Sequence, residues 1–172
     1  MAEGLQSTQD FLINSCKIVG ADGNPIDIKD LVIEFNYFED IFNNAISGNM
    51  LINDSNGFLS LLGFNGNEYL IFTFGKPGQE EKISKVFRIF KVSHRQMTKD
   101  QNENYILHFT SEEVLLSEQY KVSKSYPNKK VSEIVSDIML NQLMVKPEKF
   151  LTTNNEETLD IRDIVVPTMS PF

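Results

Sequence analysis

Apolar and polar residues alternate through most of the first 126 positions, in short runs divided by breaks rich in Gly, Asn and Asp. A period of two places one set of side chains on a core face and predicts strands. Residues 11–19 read as the first strand. Ala21-Asp22-Gly23-Asn24-Pro25 follows as a turn, because Asp-Gly tolerates left-handed dihedrals and Pro25 restarts an extended chain. A short strand covers 26–28. A longer one covers 31–38, with Ile33, Phe35 and Tyr37 on one face and Glu34 and Asn36 on the other. Val32 and Phe38 break that alternation, so its second face is also partly covered.

Residues 45–53 form a further predicted strand with Met50 and Ile52 on one side. Asp54-Ser55-Asn56-Gly57 closes it, and Phe58-Leu59-Ser60-Leu61-Leu62 has the length of one helical turn. Gly63 and Gly66 frame a tight passage into 68–74, a segment rich in aromatic and β-branched residues that reads as buried on both sides. Lys76-Pro77-Gly78 is the next turn. Residues 83–97 carry two competing patterns. Ile83, Val86, Phe87 and Phe90 recur at helical spacing, whereas the β-branched and aromatic content of the stretch favours a strand. The strand is the expectation, paired as a hairpin with 105–110 across the polar 100–104 connection.

Thr110 is placed to cap a short helix through Glu113, ahead of Val114-Leu115-Leu116. A brief strand returns at 122–126. Pro127-Asn128 then introduces a helix over 129–143, whose Val131, Ile134, Val135 and Ile138 line one stripe. After Pro147 the pattern fades, apart from a short apolar stretch at 161–166. The expected class is therefore mainly β with minor α: an antiparallel barrel or sandwich over 1–126, then an amphipathic helix opening a second, truncated domain over 127–172. Residues 1–10 read as a polar arm.

Composition narrows the function. The 172 residues are 41% hydrophobic with 13 Phe, enough for a folded core. Lys plus Arg total 16 against 24 Asp plus Glu, a formal net charge of -8, which argues against clamping nucleic acid. Cys16 is the single cysteine, so no intrachain disulfide or multi-cysteine metal site can form. The start lacks a basic region followed by an apolar stretch, and no run reaches membrane-spanning length, so a soluble, non-secreted protein without membrane insertion is expected.

Charge is segregated along the chain. From Asp30 through Gly75 there is no Lys or Arg, while Asp30, Glu34, Glu39, Asp40, Asp54 and Glu68 are acidic. Lys82, Lys85, Arg88, Lys91, Arg95 and Lys99 follow with no acid among them. One reading is a solvated surface divided by chance. The other is a strand array with an acidic side and a basic side. In a ring of such subunits, the acids (Glu34, Glu68 and Asp54) would face a channel and let a polyanion pass without holding it. Phe38, Phe58, Phe72, Phe74, Lys85, Arg88 and Lys91 would then serve contacts between neighbours.

Candidate chemistry adds little. His94 and His108 are the only histidines, and a hairpin centred near Gln101 sets them almost opposite each other, close enough in principle to share a metal. Two ligands are too few, and Glu103, Glu112 and Glu113 have no coordinating spacing, so no metal site is expected. Gly63-Phe64-Asn65-Gly66 lacks the Lys and hydroxyl residue of a phosphate loop. Ser55, Ser111 and Ser117 lack a nucleophile-elbow context. Neither Asp27 with Asp30 nor Glu39 with Asp40 makes a catalytic carboxylate pair. Cys16 alternates with apolar residues and reads as a small buried hydrophobe. The Phe set lacks interleaved Lys or Arg, which argues for core and interface packing over base stacking. No catalysis and no cofactor are expected.

Six features in order resemble one family. They are the 31–38 strand, Ser47-Gly48-Asn49 before a strand, Asp54-Ser55-Asn56-Gly57, and Gly66-Asn67-Glu68 before a hydrophobic strand. Residues 87–93 leading into 105–111 come next, followed by Lys124-Ser125-Tyr126 before the helix. Together they resemble the N-terminal part of the baseplate hub protein of contractile-tailed bacteriophages. The stretch Ile164-Val165-Val166-Pro167-Thr168-Met169-Ser170-Pro171-Phe172 resembles that family's link into a following helix. Glu112-Glu113-Val114-Leu115-Leu116 departs from it as a small helical insertion.

The resemblance implies a tail-tube-like β-domain and a homotrimer in which each subunit supplies two such domains, forming a pseudo-sixfold ring, with no enzymatic role. That ring would join the tail tube protein to the central spike protein among other baseplate proteins of the virion tail, with DNA passing through its channel. A tail tube or tube-initiator protein of a contractile injection machine, or a spike from a related injection machine, is the alternative, and a ligand- or carbohydrate-binding β-domain a more distant one.

Overall fold

The structure is a computed structural model. It describes residues 12–43, 45–76, 80, 82–98, 102–145, 158 and 160–171. The expected arm, the Pro77-Gly78 part of a turn, the tip of the 100–104 connection and the stretch just after Pro147 lie outside these. Two compact units divide the chain, Met1–Ser111 and Glu112–Phe172.

The first unit is one antiparallel sheet of seven strands. These are β1 (Leu12–Val19), β2 (Pro25–Asp27), β3 (Val32–Phe38), β4 (Ser47–Asp54), β5 (Tyr69–Gly75), β6 (Lys82–Met97) and β7 (Glu103–Thr110). Their order across the sheet is β2-β1-β5-β6-β7-β4-β3. Local turn chemistry makes the β1–β2 hairpin: Gly23 sits at φ 75° and donates its N–H to the Gly20 carbonyl at 3.1 Å. The β3–β4 hairpin joins the far side of the sheet, where β4 pairs with β7. Crossing back from β4 to β5 requires a longer connection, which holds the single-turn helix α1 (Phe58–Leu62).

The sheet is strongly curled. Phe35 on edge strand β3 stacks on Phe72 of β5 with ring centroids 3.9 Å apart. In the sheet order those strands are four places apart, and flat strands spaced by about 4.8 Å would separate them by roughly 19 Å. The concave face therefore wraps an aromatic cluster, with Phe109 and Phe87 completing it at 5.6 Å and 5.0 Å centroid spacing. Cys16, Ile18, Met50, Ile52, Leu70 and Leu107 fill the rest of the core. Gly48 is required by this curl: a Cβ there would lie 2.3 Å from both the Asn36 carbonyl oxygen and the Phe109 ring.

The contested 83–97 segment is a strand. Phe87 and Ile89, two apart, are buried, while the helix-spaced Ile83, Val86 and Phe90 remain 48%, 45% and 50% exposed. Two bulges interrupt its pairing with β7, between Ile89 and Lys91 and between Ser93 and Gln96. A third bulge corrects the expected face of β3. The register shifts between Val32 and Glu34, so Ile33 becomes the extra residue and turns outward, and Val32 takes the core position beside Phe35 and Tyr37. Thr110, expected as a helix cap, lies within β7. It ends β7 and donates its hydroxyl to the Ile46 carbonyl at 3.2 Å, and α2 begins two residues later.

The second unit contains α2 (Glu112–Gln119), β8 (Val122–Lys130), α3 (Val131–Asp137) with a π-type turn continuing over Ile138–Gln142, and β9 (Ile161–Met169). β8 and β9 form an antiparallel pair. Position 126, where the sequence pattern changes from strand to helix, falls inside β8. Of the expected apolar stripe, Ile134 is buried and Val135 is 45% exposed. No described helix is long and apolar enough to cross a membrane.

Candidate functional site

The acidic residues separate into two groups once folded. Asp54 and Glu68 are each 1% exposed. Asp54 ends β4 and turns its carboxylate into the following turn, accepting the N–H of Asn56 at 2.9 Å and of Leu59 at 3.1 Å. The Tyr105 hydroxyl donates to it at 3.4 Å. Burial disfavours its charge, yet these donors outweigh that cost and hold its pKa below the ordinary carboxylate value. Glu68 does the same work before β5, accepting from the N–H of Asn65 at 2.8 Å and of Gly66 at 2.9 Å. Both acids brace loops, so neither offers its charge to a channel from this unit.

The remaining acids cluster around β3. Glu34 is exposed on that strand and accepts from the Asn36 amide at 2.8 Å. Glu39 accepts from the Tyr37 hydroxyl at 2.6 Å, and Asp40 accepts the N–H of Phe42 at 2.9 Å. Asp30 is exposed just before the strand. These four acids thus lie on or beside edge strand β3, while Asp22 and Asp27 are exposed at the β2 edge.

The basic block lies on β6. Arg88 sits over the Tyr69 ring at 4.2 Å and donates to the Asn67 carbonyl at 2.6 Å. Lys85 is half-buried and Lys91 exposed. Arg95 forms a two-point pair with Glu103 on β7. In the sheet order β6 and β3 are separated by β7 and β4, so the two blocks occupy different strands of one sheet.

The expected contact aromatics are divided too. Phe58 and Phe72 are buried in the chain's own core, so they cannot serve an interface. Phe74 is half-buried against Phe72 and Tyr37, and Phe38 is 57% exposed. The sequence reading missed the most exposed apolar pair among the described residues. Ile41 and Phe42 are 92% and 93% exposed in the β3–β4 connection, held up by the Asp40 turn. Two large apolar residues in succession, directly after Glu39-Asp40, were the available signal.

Three further sites bear on chemistry. Ser93 hydrogen-bonds to His94 at 3.0 Å and to His108 at 2.7 Å, so one hydroxyl joins both histidines. Burial first, then the charges of Lys91 and His94, lower the pKa of His108. Asp137 collects Lys124 at 2.8 Å, Tyr126 at 2.7 Å and Asn141 at 2.9 Å. A cavity of about 280 Å³ lies beside it, lined by Lys124, Tyr126, Pro127, Lys129 and Glu133. Burial, with Asp27 nearby, pushes the Cys16 thiol up to about 12, so it stays a protonated core residue. Among the described residues, no three His, Cys, Asp or Glu side chains gather as a metal-ligating group.

No protein-family model and no curated protein matches the sequence. Solved structures do. A PdpA–VgrG complex in a lidless form is similar over 75% of this chain and 24% of its own, at 15% identity and a TM-score of 0.46. The half-lidded Francisella PdpA–VgrG complex is similar over 75% of this chain and 22% of its own, at 13% identity and the same TM-score of 0.46. The E. coli c3393 protein is a type VI secretion component described as structurally similar to the bacteriophage T4 tail proteins gp27 and gp5. It aligns with 98% of this chain at 12% identity and a TM-score of 0.52, and this chain spans 38% of its length. At that identity the likeness concerns fold alone: the mainly β architecture with short helices is shared with a type VI secretion component that resembles phage tail proteins.

Proposed function

We propose that this chain is a structural part of the baseplate hub of a contractile-tailed machine. Its seven-stranded unit would act as a tail-tube-like β-domain, and the following residues would open a second domain. Three copies would form a pseudo-sixfold ring that joins the tail tube to the central spike, contacts other baseplate proteins in the virion tail, and leaves a channel for DNA. The observation that carries this reading is the curled sheet, aligned along almost the whole chain with the c3393 fold. The ordered sequence resemblance to the hub family supports it independently.

The surface is consistent with an assembled state. Phe38, Ile41 and Phe42 are exposed at the β3 end of the sheet, and Ile83, Val86 and Phe90 are half-exposed on β6, apolar positions that a neighbouring subunit would cover. Glu34 and its neighbours near β3 give an acidic strip, and a like-charged wall would let DNA pass without adhering. Phe38, Phe74, Lys85, Arg88 and Lys91 remain the candidate neighbour contacts.

Native mass spectrometry and particle imaging of the full-length gene product test this. A threefold particle with two β-domains per chain is the expected result. A sixfold ring with one domain per chain would select a tube or tube-initiator protein instead, and a stable monomer would overturn both.

A further inference from the structure

We infer that the β3–β4 tip of one copy of this chain docks into a cavity beside β6 of a second copy. The cavity measures about 200 Å³ and is walled by Phe64, Ile89, Phe90 and Val92, with the exposed Lys91 in its lining. The first bulge of β6 lies in this wall. The register with β7 shifts between Ile89 and Lys91, so Phe90 is the extra residue and stays half-exposed. Glu68, the acid in the lining, turns its carboxylate to the Asn65 and Gly66 N–H groups of its own loop. An occupant therefore meets apolar walls and the cation of Lys91.

The tip has the matching chemistry. Ile41 and Phe42 are almost wholly exposed, so neither fills the cavity of its own chain. Asp40 holds them in place: its carboxylate accepts the N–H of Phe42 at 2.9 Å and its carbonyl that of Asn43 at 3.2 Å. A tip already held in shape loses little freedom on docking. An apolar cavity of about 150 Å³ takes up benzene, so the larger space beside β6 admits the phenyl ring of Phe42. Glu39 and Asp40 are exposed directly before the apolar pair and would meet Lys91 as the ring enters. Charge complementarity thus selects a second copy as the occupant, because the acidic apolar knob and the basic apolar socket stand on the same chain. The formal net charge of -8 disfavours approach of two copies in other orientations.

Tip and socket are different patches, so the contact is heterologous: each docked pair keeps one free tip and one free socket. Copies add head to tail until a ring closes or a filament grows. The contact does not depend on the hub reading. It joins two first units, whatever further β-domains accompany them.

Sedimentation velocity of the full chain over a wide concentration range tests this, and wild type should gain mass as concentration rises. Phe42→Ser removes the knob, and Lys91→Glu sets like charge against Glu39 and Asp40. Each should weaken association at least about tenfold, the loss expected when a buried anchor or a matched charge is removed. Both positions are exposed, so circular dichroism should show both variants folded as wild type. An equimolar mixture of the two variants distinguishes a heterologous contact from an isologous one. The Phe42→Ser chain keeps its socket and the Lys91→Glu chain keeps its tip, so the mixture should recover wild-type affinity and stop at dimers. Wild type that stays monomeric throughout, unchanged association in either variant, or a mixture no stronger than its parts would overturn the docking.

Discussion

The carboxylate of Asp137 serves three side chains at once, and its ionisation shows what that concentration does. The hydrogen bond from Lys124 is the largest influence, followed by those from Asn141 and Tyr126, and together they lower its pKa to about 2. The ordinary value is 3.8. A carboxyl whose pKa is depressed in the folded state contributes stability that is complete above its unfolded pKa and lost as pH falls toward the folded one. The second unit should therefore lose stability between about pH 4 and pH 2. Tyr126 behaves oppositely: burial, then the Asp137 bond and charge, raise it to about 12 from 10.0, so its contribution fades as pH rises through that interval. Asp137→Asn should flatten both flanks, and urea unfolding midpoints across pH 2–5 and 9–12 measure this. A variant with the wild-type pH profile would show that the network carries no linkage. None of this could be read beforehand. Lys124 and Tyr126 precede Asp137 by 13 and 11 residues, and only the fold brings them to it. The same limit applied to Asp54 and Glu68, which looked like wall charges because sequence counts carboxylates but does not show the N–H groups turned toward them.

At the scale of elements, alternation was readable and its interruptions were not. The apolar positions Met50 and Ile52 of β4 followed the period-two pattern. β5, expected to be covered on both sides, buries Leu70 and Phe72 and leaves the residues between and after them half-buried. The strand nature of 83–97 followed its β-branched and aromatic content and not its spacing. Bulges leave no such mark. Ile33 and Val32 exchanged faces through a single extra residue, and the hydroxyl linking His94 to His108 arose from another. Curl is also invisible along one strand, yet it is written into Gly48. A methyl group there would sit against the carbonyl oxygen of Asn36 on β3 and the ring of Phe109 on β7, the two strands flanking β4. Neither obstacle is the free end of a flexible chain: one is backbone and the other a fully buried ring. Gly48→Ala should therefore cost about 3 kcal/mol or more, at the upper end for overpacking a core. Thermal unfolding of the purified variant checks it. A melting temperature within a degree or two of wild type would mean that the edge strand does not close over the aromatic cluster as tightly as the 3.9 Å contact of Phe35 and Phe72 indicates.

For the whole molecule, the strand order decides what can stand alone. Every neighbour in β2-β1-β5-β6-β7-β4-β3 comes from before Ser111, so removing the residues that follow breaks no ladder in that sheet. The core cluster of the first unit is likewise drawn only from Cys16 through Phe109, with partly buried partners between Ile13 and Val92. Its contacts are mostly between distant strands, an arrangement that folds slowly but cooperatively. That order was not legible in the sequence, since a meander and a sandwich give similar alternation and only long-range pairing distinguishes them. It yields a direct prediction: a fragment ending at Ser111 should fold, with a single cooperative urea transition followed by circular dichroism. Because Phe38, Ile41 and Phe42 stay exposed, the fragment should also self-associate as its concentration rises, and replacing Phe42 with Ser should reduce that without lowering the transition midpoint by more than about 0.5 kcal/mol, the usual limit for a surface change. A fragment that unfolds gradually would mean that residues after 111 complete the core, and the seven strands would no longer qualify as a self-contained unit.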